Sequence, residues 1–227
     1  MVVKERRALV VAAALLVGGA LVCVLMAWPS ARAVVQSVDD RAYDLAGAIR
    51  NRPTTIIAEA FSLLGSVWVN WPLRIAALVL LAWKRRWVQL AAFALAIITS
   101  EVLIGVLKSA YDRPRPPGSL IVTSGASFPS GHAIAGAVTA VGLVLVLLPP
   151  GRRRWRWELW ALLFSFFMAM SRVYLHAHWL SDVVAGALIG AGLALGFPAV
   201  LTAVRRARQA RSPAAVGASP PEDSVRT

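Results

Sequence analysis

Acidic residues are scarce in this 227-residue chain: 11 Asp and Glu stand against 24 Lys and Arg, for a formal charge of +13. Cysteine is scarcer still. The single Cys23 excludes an intramolecular disulfide and any cysteine-built metal site. It lies within an apolar run, where inert packing is its expected role. Only three histidines are present, so any imidazole chemistry must come from His132, His176 or His178. Charged residues make up 15%, too few for the surface of a soluble domain of this size. No internal repeat is evident.

What is abundant is hydrocarbon. Apolar residues make up 58% of the chain and mean hydropathy is +0.66, which marks an integral membrane protein. A helix needs about 20 mostly apolar residues to cross ~30 Å of hydrocarbon. Six segments meet that need, approximately Ala8–Trp28, Leu63–Trp83, Trp87–Leu107, Ala133–Leu148, Trp157–Tyr174 and Ser181–Val204. The expected fold class is all-α, a polytopic bundle of six transmembrane helices.

The cations orient that bundle, because short cytoplasmic loops are enriched in Lys and Arg. Lys4, Arg6 and Arg7 precede the first span, and Lys84, Arg85 and Arg86 join the second to the third. Arg152, Arg153, Arg154 and Arg156 join the fourth to the fifth, and Arg205, Arg206, Arg208 and Arg211 follow the sixth. With six crossings all four clusters fall on one side. Both termini are therefore expected in the cytoplasm of a multi-pass plasma-membrane protein. Most of the positive charge is accounted for by this topology and by attraction to anionic headgroups. A nucleic-acid partner is not expected, since the basic residues are split among loops and no recognition motif accompanies them.

The basic start, the apolar run and Ala31-Arg32-Ala33 resemble a cleavable signal peptide. The run is longer than the ~7–15 residues of a signal core, so a retained signal-anchor is expected. Residues 29–62 are more polar and read as an external amphipathic segment, with a plain connecting loop as the alternative and a break at Arg52-Pro53. Residues 1–204 thus form the expected domain, and residues 205–227 a disordered cytoplasmic tail. Arg74 and Glu101 lie inside spans, where ionisable groups are costly and need partners. Their heights above the intervening loop, roughly 14 and 21 Å at 1.5 Å per residue, suggest a structural ion pair, with support of Lys108 as the alternative role for Glu101.

Three stretches carry the chemistry. Lys108-Ser-Ala-Tyr-Asp-Arg-Pro-Arg115-Pro116 places three cations at the external end of the third span, against the charge trend. Such a cluster suits an anion, and Arg grips phosphate oxygens through paired N–H donors. Phe128-Pro129-Ser130-Gly131-His132 has the grammar of a helix start: Ser130 as N-cap, Gly131 allowing an anion close to free backbone N–H groups, and His132 beside it. Ser171-Arg172 closes the fifth span, and His178-Trp-Leu-Ser-Asp182 opens the sixth. On a helix the four-residue spacing puts His178 and Asp182 on one face. The carboxylate there fixes the tautomer and leaves the other ring nitrogen as a nucleophile. His176 is expected to support the loop. A zinc site from His132, His176, His178 and Asp182 is opposed by the nearby cations.

In order, these stretches read K-x6-R-P, P-S-G-H and S-R-x5-H-x3-D. That arrangement resembles the three signature motifs of the type 2 phosphatidic acid phosphatase superfamily, which also includes vanadium haloperoxidases and bacterial acid phosphatases. The resemblance implies a metal-independent phosphohydrolase without a cofactor, working through a covalent phosphohistidine. It assigns His178 as nucleophile, Asp182 as its orienting group and His132 as general acid and then base. Lys108, Arg115, Ser130, Gly131 and Arg172 would hold the phosphoryl oxygens. The implied partners are the bilayer and a lipid phosphate at the outer face. A polyprenyl diphosphate such as undecaprenyl diphosphate is favoured by the family's common bacterial roles. Phosphatidic acid, phosphatidylglycerol phosphate, phosphate transfer to another lipid, and non-catalytic lipid-phosphate binding or transport stay open.

Overall fold

The computed structural model describes residues 2–211. Among them the chain forms eight helices and no strand: α1 (Val2–Ala27), α2 (Pro29–Ala48), α3 (Arg52–Leu64), α4 (Val67–Trp83), α5 (Trp87–Tyr111), α6 (Gly131–Leu147), α7 (Arg152–Tyr174) and α8 (Leu180–Arg211). The all-α class is thus met. The core joins α4, α5, α6 and α8 through Leu81, Phe93, Ile97, Ile134, Val138, Ile189 and Leu193. Outward faces stay apolar, with Val17, Leu21, Ile98, Val102, Phe166 and Phe167 exposed, as hydrocarbon as solvent requires. Cys23 packs among apolar neighbours, as expected.

Helices α1, α5 and α8 are long and apolar enough to cross a membrane, and α3 with α4 makes a fourth if that bent pair is one span. The chain is a multi-pass membrane protein. The other expected spans are less regular. Helices α4 and α6 have 17 residues each, about 26 Å of rise, and α7 opens on its Arg cluster. The segment expected as one span over Leu63–Trp83 breaks between Leu64 and Val67, where α3 and α4 meet at 42°. Gly65 ends α3 at the break, where a Cβ would come within 2.5 Å of Met168 Sδ on α7. The Asn70 side chain donates to the carbonyls of Leu64 and Ser66 at 3.4 and 3.1 Å, bracing the break from the α4 side.

Residues 29–62 form two helices rather than a plain loop. Pro29 suits the first position of α2, where no N–H is needed. Asn51 and Thr54 close a capping box on α3, so the break falls just before Arg52-Pro53. At its other end α8 continues past Val204 to Arg211, and the rest of the expected tail lies outside the described residues. Helices α6 and α8 touch through main chain: a Cβ on Gly186 would lie 2.7 Å from the Ser130 carbonyl, and one on Gly190 2.5 Å from that of Ile134. Small residues four apart permit this approach.

Arg74 and Glu101 pair as the sequence suggests, Nη1 donating to Oε1 at 2.7 Å. Arg74 also donates to Thr139 Oγ1 at 2.9 Å and to the Ala135 carbonyl at 3.2 Å, so one guanidinium ties α4, α5 and α6. Arg74→Met removes all three bonds and leaves Glu101 unpaired. We expect a loss on the order of 2 kcal/mol, read as a lower unfolding temperature in detergent.

Candidate active site

The three sequence stretches meet at one end of the bundle, opposite the Arg86 contact with the Leu147 carbonyl. A tight turn after α7 sets His178: the N–H groups of Ala177 and His178 both donate to the Arg172 carbonyl, at 2.9 and 3.2 Å. The loop of residues 112–130 lies against that turn through Leu120 N–H to the Leu175 carbonyl at 3.0 Å. The start of α6 is fastened to the start of α8 by Ser130 N–H to the Asp182 carbonyl, also 3.0 Å. Ser130 caps α6 as expected, its hydroxyl accepting from Ala133 N–H at 3.4 Å.

His178 and Asp182 meet, but not along a helix face. Helix α8 begins at Leu180, so His178 precedes it. Asp182, in the first turn, folds back so that Oδ2 accepts the Trp179 N–H at 2.9 Å and lies 3.4 Å from His178 Nδ1. The free N–H groups of a helix start pull the carboxylate there, and the imidazole stands against the same oxygen. The Ser127 hydroxyl also donates to Oδ2. On its other side, His178 Nε2 lies 3.2 Å from Arg115 Nη1. A guanidinium only donates, so Nε2 carries the lone pair and Nδ1 the proton. Burial pushes His178 down to about 4, with Arg115 and Arg172 adding to the shift and Asp182 opposing it. The ring is therefore neutral at ordinary pH.

Lys108, Arg115 and Arg172 converge around this ring. Lys108 donates to the Ala126 carbonyl. Arg115 donates to the carbonyls of Gly125, Ala177 and Ser124 at 2.9, 2.7 and 2.8 Å. Buried Arg172 donates to the Ser62 hydroxyl, and its Nε has no partner among the described residues. Three cations thus share main-chain and hydroxyl acceptors, leaving their charge available to an anion. His132, on the first turn of α6, feels the charges of Arg172, Arg115 and Lys108. It lines a cavity of about 150 Å³ with Gly65, Asn70, Trp71, Arg74 and Glu101. Gly131 lines it too, and a Cβ there would face Ile104 of α5 at 3.6 Å, an ordinary contact.

His176 supports the loop. It sits in the left-handed region at φ 53°, stacks on Tyr43 at 3.7 Å and donates from Nε2 to the Tyr43 carbonyl at 3.1 Å, clamping α2 to the turn. Sequence reasoning missed Arg113, Ser127, Ser62 and Asp39. Arg113 was counted among the cations but given no task, yet it is buried and donates to Asp182 Oδ1 at 2.6 Å and Asp39 Oδ2 at 2.7 Å. The helical stripe Gln36, Asp39, Tyr43 and Ala46 was the available signal for Asp39.

The fold and this end of it define an all-helical membrane protein with cations gathered around two histidines. The chain belongs to the PAP2 superfamily, whose family profile matches residues 89–206. Its fold is similar to that of a transmembrane PAP2-type phosphatidylglycerolphosphate phosphatase from Bacillus subtilis, with a TM-score of 0.70 and 24% identity over 86% of this chain and 96% of that one. LpxE of Aquifex aeolicus is similar at a TM-score of 0.55 and 28% identity, over 67% of this chain and 89% of its own. An undecaprenyl-diphosphatase of Sulfolobus acidocaldarius is 39% identical over 64 residues, 28% of each chain.

Nitrogen NMR of labelled protein in detergent checks the tautomer. We expect His178 to remain neutral and protonated on Nδ1 from pH 8 to about pH 5, gaining its second proton only near 4. Titration near the ordinary 6.5 would mean that burial does not outweigh Asp182 at this ring.

Proposed function

We propose that the protein hydrolyses a lipid phosphate or diphosphate at the outer face of the plasma membrane, through a phosphohistidine on His178. One observation carries the reading: the His178 Nε2 lone pair faces the Arg115 guanidinium at 3.2 Å while Nδ1 faces Asp182 at 3.4 Å. A phosphoryl group gripped by Arg115 lies in front of a nucleophile whose tautomer is already set.

The chemistry follows in two steps. His178 Nε2 attacks phosphorus, an N–P bond forms, and the bond from phosphorus to the leaving oxygen breaks. His132, which takes up a proton once the anionic phosphate offsets the cations around it, gives that oxygen the proton. Water then attacks the phosphohistidine and yields a proton to His132. The N–P bond breaks, inorganic phosphate leaves, and His178 regains its lone pair. Lys108, Arg115, Arg172 and the Ser130-Gly131 helix start hold the phosphoryl oxygens and offset the charge that grows on them, each well-placed donor worth several kcal/mol of barrier. The cations neutralise the phosphate themselves, so no metal enters the steps.

The basic clusters that open α1, join α4 to α5, open α7 and end α8 support cytoplasmic termini and an external site. The substrate we favour is a polyprenyl diphosphate, undecaprenyl diphosphate in particular, in keeping with the name of the Sulfolobus relative. Phosphatidic acid and phosphatidylglycerol phosphate enter as competing substrates in the test.

Purified full-length protein in detergent is to be assayed for phosphate release from all three lipids, with and without EDTA, beside His178→Ala. We expect release that survives EDTA and falls at least about 1,000-fold in the variant. A variant at the wild-type rate would sink the mechanism. Binding of the lipids without release by the wild type would make the protein a binder or transporter, and appearance of the phosphate on an added lipid alcohol would make it a transferase.

A further inference from the structure

Helix α2 sends a carboxylate into the interior. Asp39 is 1% exposed, and Oδ1 accepts the Ser181 N–H at 2.8 Å. Its Oδ2 accepts the Ser181 hydroxyl at 2.6 Å and Arg113 Nη2 at 2.7 Å. Arg113, itself 2% exposed, turns its other nitrogen, Nη1, to Asp182 Oδ1 at 2.6 Å and Ser181 Oγ at 2.7 Å. Asp182 is the carboxylate that faces His178. A single buried guanidinium is therefore divided between two buried carboxylates. Asp39 lies outside the residues 89–206 that the family profile matches.

We propose that Asp39 is a positioning residue for the reaction at His178: by taking a share of Arg113 it leaves Asp182 a full anionic acceptor for the imidazole. The proposal rests on the phosphohistidine reading above. Its physical basis is a balance of charge. Arg113, Asp39 and Asp182 together leave one unmatched negative charge where charges are poorly screened. When Nε2 bonds to phosphorus the ring becomes cationic, and that negative charge is matched. Lys108, Arg115 and Arg172 meanwhile serve the phosphoryl oxygens. Without Asp39 the whole guanidinium falls on Asp182, neutralising it in advance and weakening its hold on Nδ1–H. A packing role alone would be met by an apolar side chain on α2, which a buried carboxylate is not.

The neighbouring Gln36 makes the idea testable, because its Oε1 accepts from the same Arg113 Nη2 at 2.6 Å. Asp39→Asn removes the charge, and Asp39→Asn with Gln36→Glu returns it to the same nitrogen from one helical turn away. In detergent, on the lipid that the wild type turns over fastest, Asp39→Asn is expected to lower kcat roughly 10- to 100-fold, with KM within about three-fold. The double variant is expected to regain about ten-fold of kcat. Wild-type kcat in Asp39→Asn overturns the proposal, as does a loss that the relocated carboxylate does not rescue. If Asp39→Asn cannot be purified folded, the double variant decides: kcat within about ten-fold of wild type supports the charge role, and kcat at the His178→Ala level overturns it. Wild type and His178→Ala in the same series separate this from failure of the function itself. An inactive wild type or an active His178→Ala refutes the phosphohistidine reading, whereas normal Asp39→Asn beside a dead His178→Ala refutes only the role of Asp39.

Discussion

Everything at the functional end of this bundle turns on a buried carboxylate, Asp182, that does not belong to itself. Its two oxygens are engaged by the Trp179 N–H, the Ser127 hydroxyl and Arg113, with the His178 ring 3.4 Å away. Those partners come from the α7–α8 turn and the 112–130 loop, while Asp39 on α2 braces Arg113 from behind. A carboxylate in such a place is costly unless every lone pair is used. Here the desolvation cost is met by bonds that also join separate helices, so the site and the tertiary structure share one set of interactions. The same economy operates lower in the bundle, where Arg74 joins α4, α5 and α6.

Much of this was legible in the sequence, and for a physical reason. Hydrocarbon around a helix forces polar residues to its ends or into partnerships. Lys108, Arg115, Ser130, His132, Arg172, His178 and Asp182 therefore stood out against apolar runs, and the structure brings them to one end. Arg74 and Glu101 stood out in the same way, and their paired depths followed from helical rise alone.

The illegible parts share a cause as well. Asp39 sits in a stretch with Asp40, Arg41 and Asp44, where one more acid looks like surface. Only the helical register of α2 separates it from its exposed neighbours. The backward fold of Asp182 onto Trp179 N–H depends on where α8 starts, which spacing of four residues does not reveal. The break after Leu64 packs Gly65 against Met168, far apart in the chain. Helix register, the start point of a helix and packing against distant elements decide these, and no single motif carries them.

The glycine contact between α6 and α8 sets more than packing. Because Gly186 stands against the Ser130 carbonyl and Ser130 N–H bonds the Asp182 carbonyl, the gap between the two helix starts is fixed by main-chain atoms. No rotamer change alters it. The spacing of Ser130 from Asp182 thus rests on a main-chain hydrogen bond and a glycine contact rather than on the reach of long side chains.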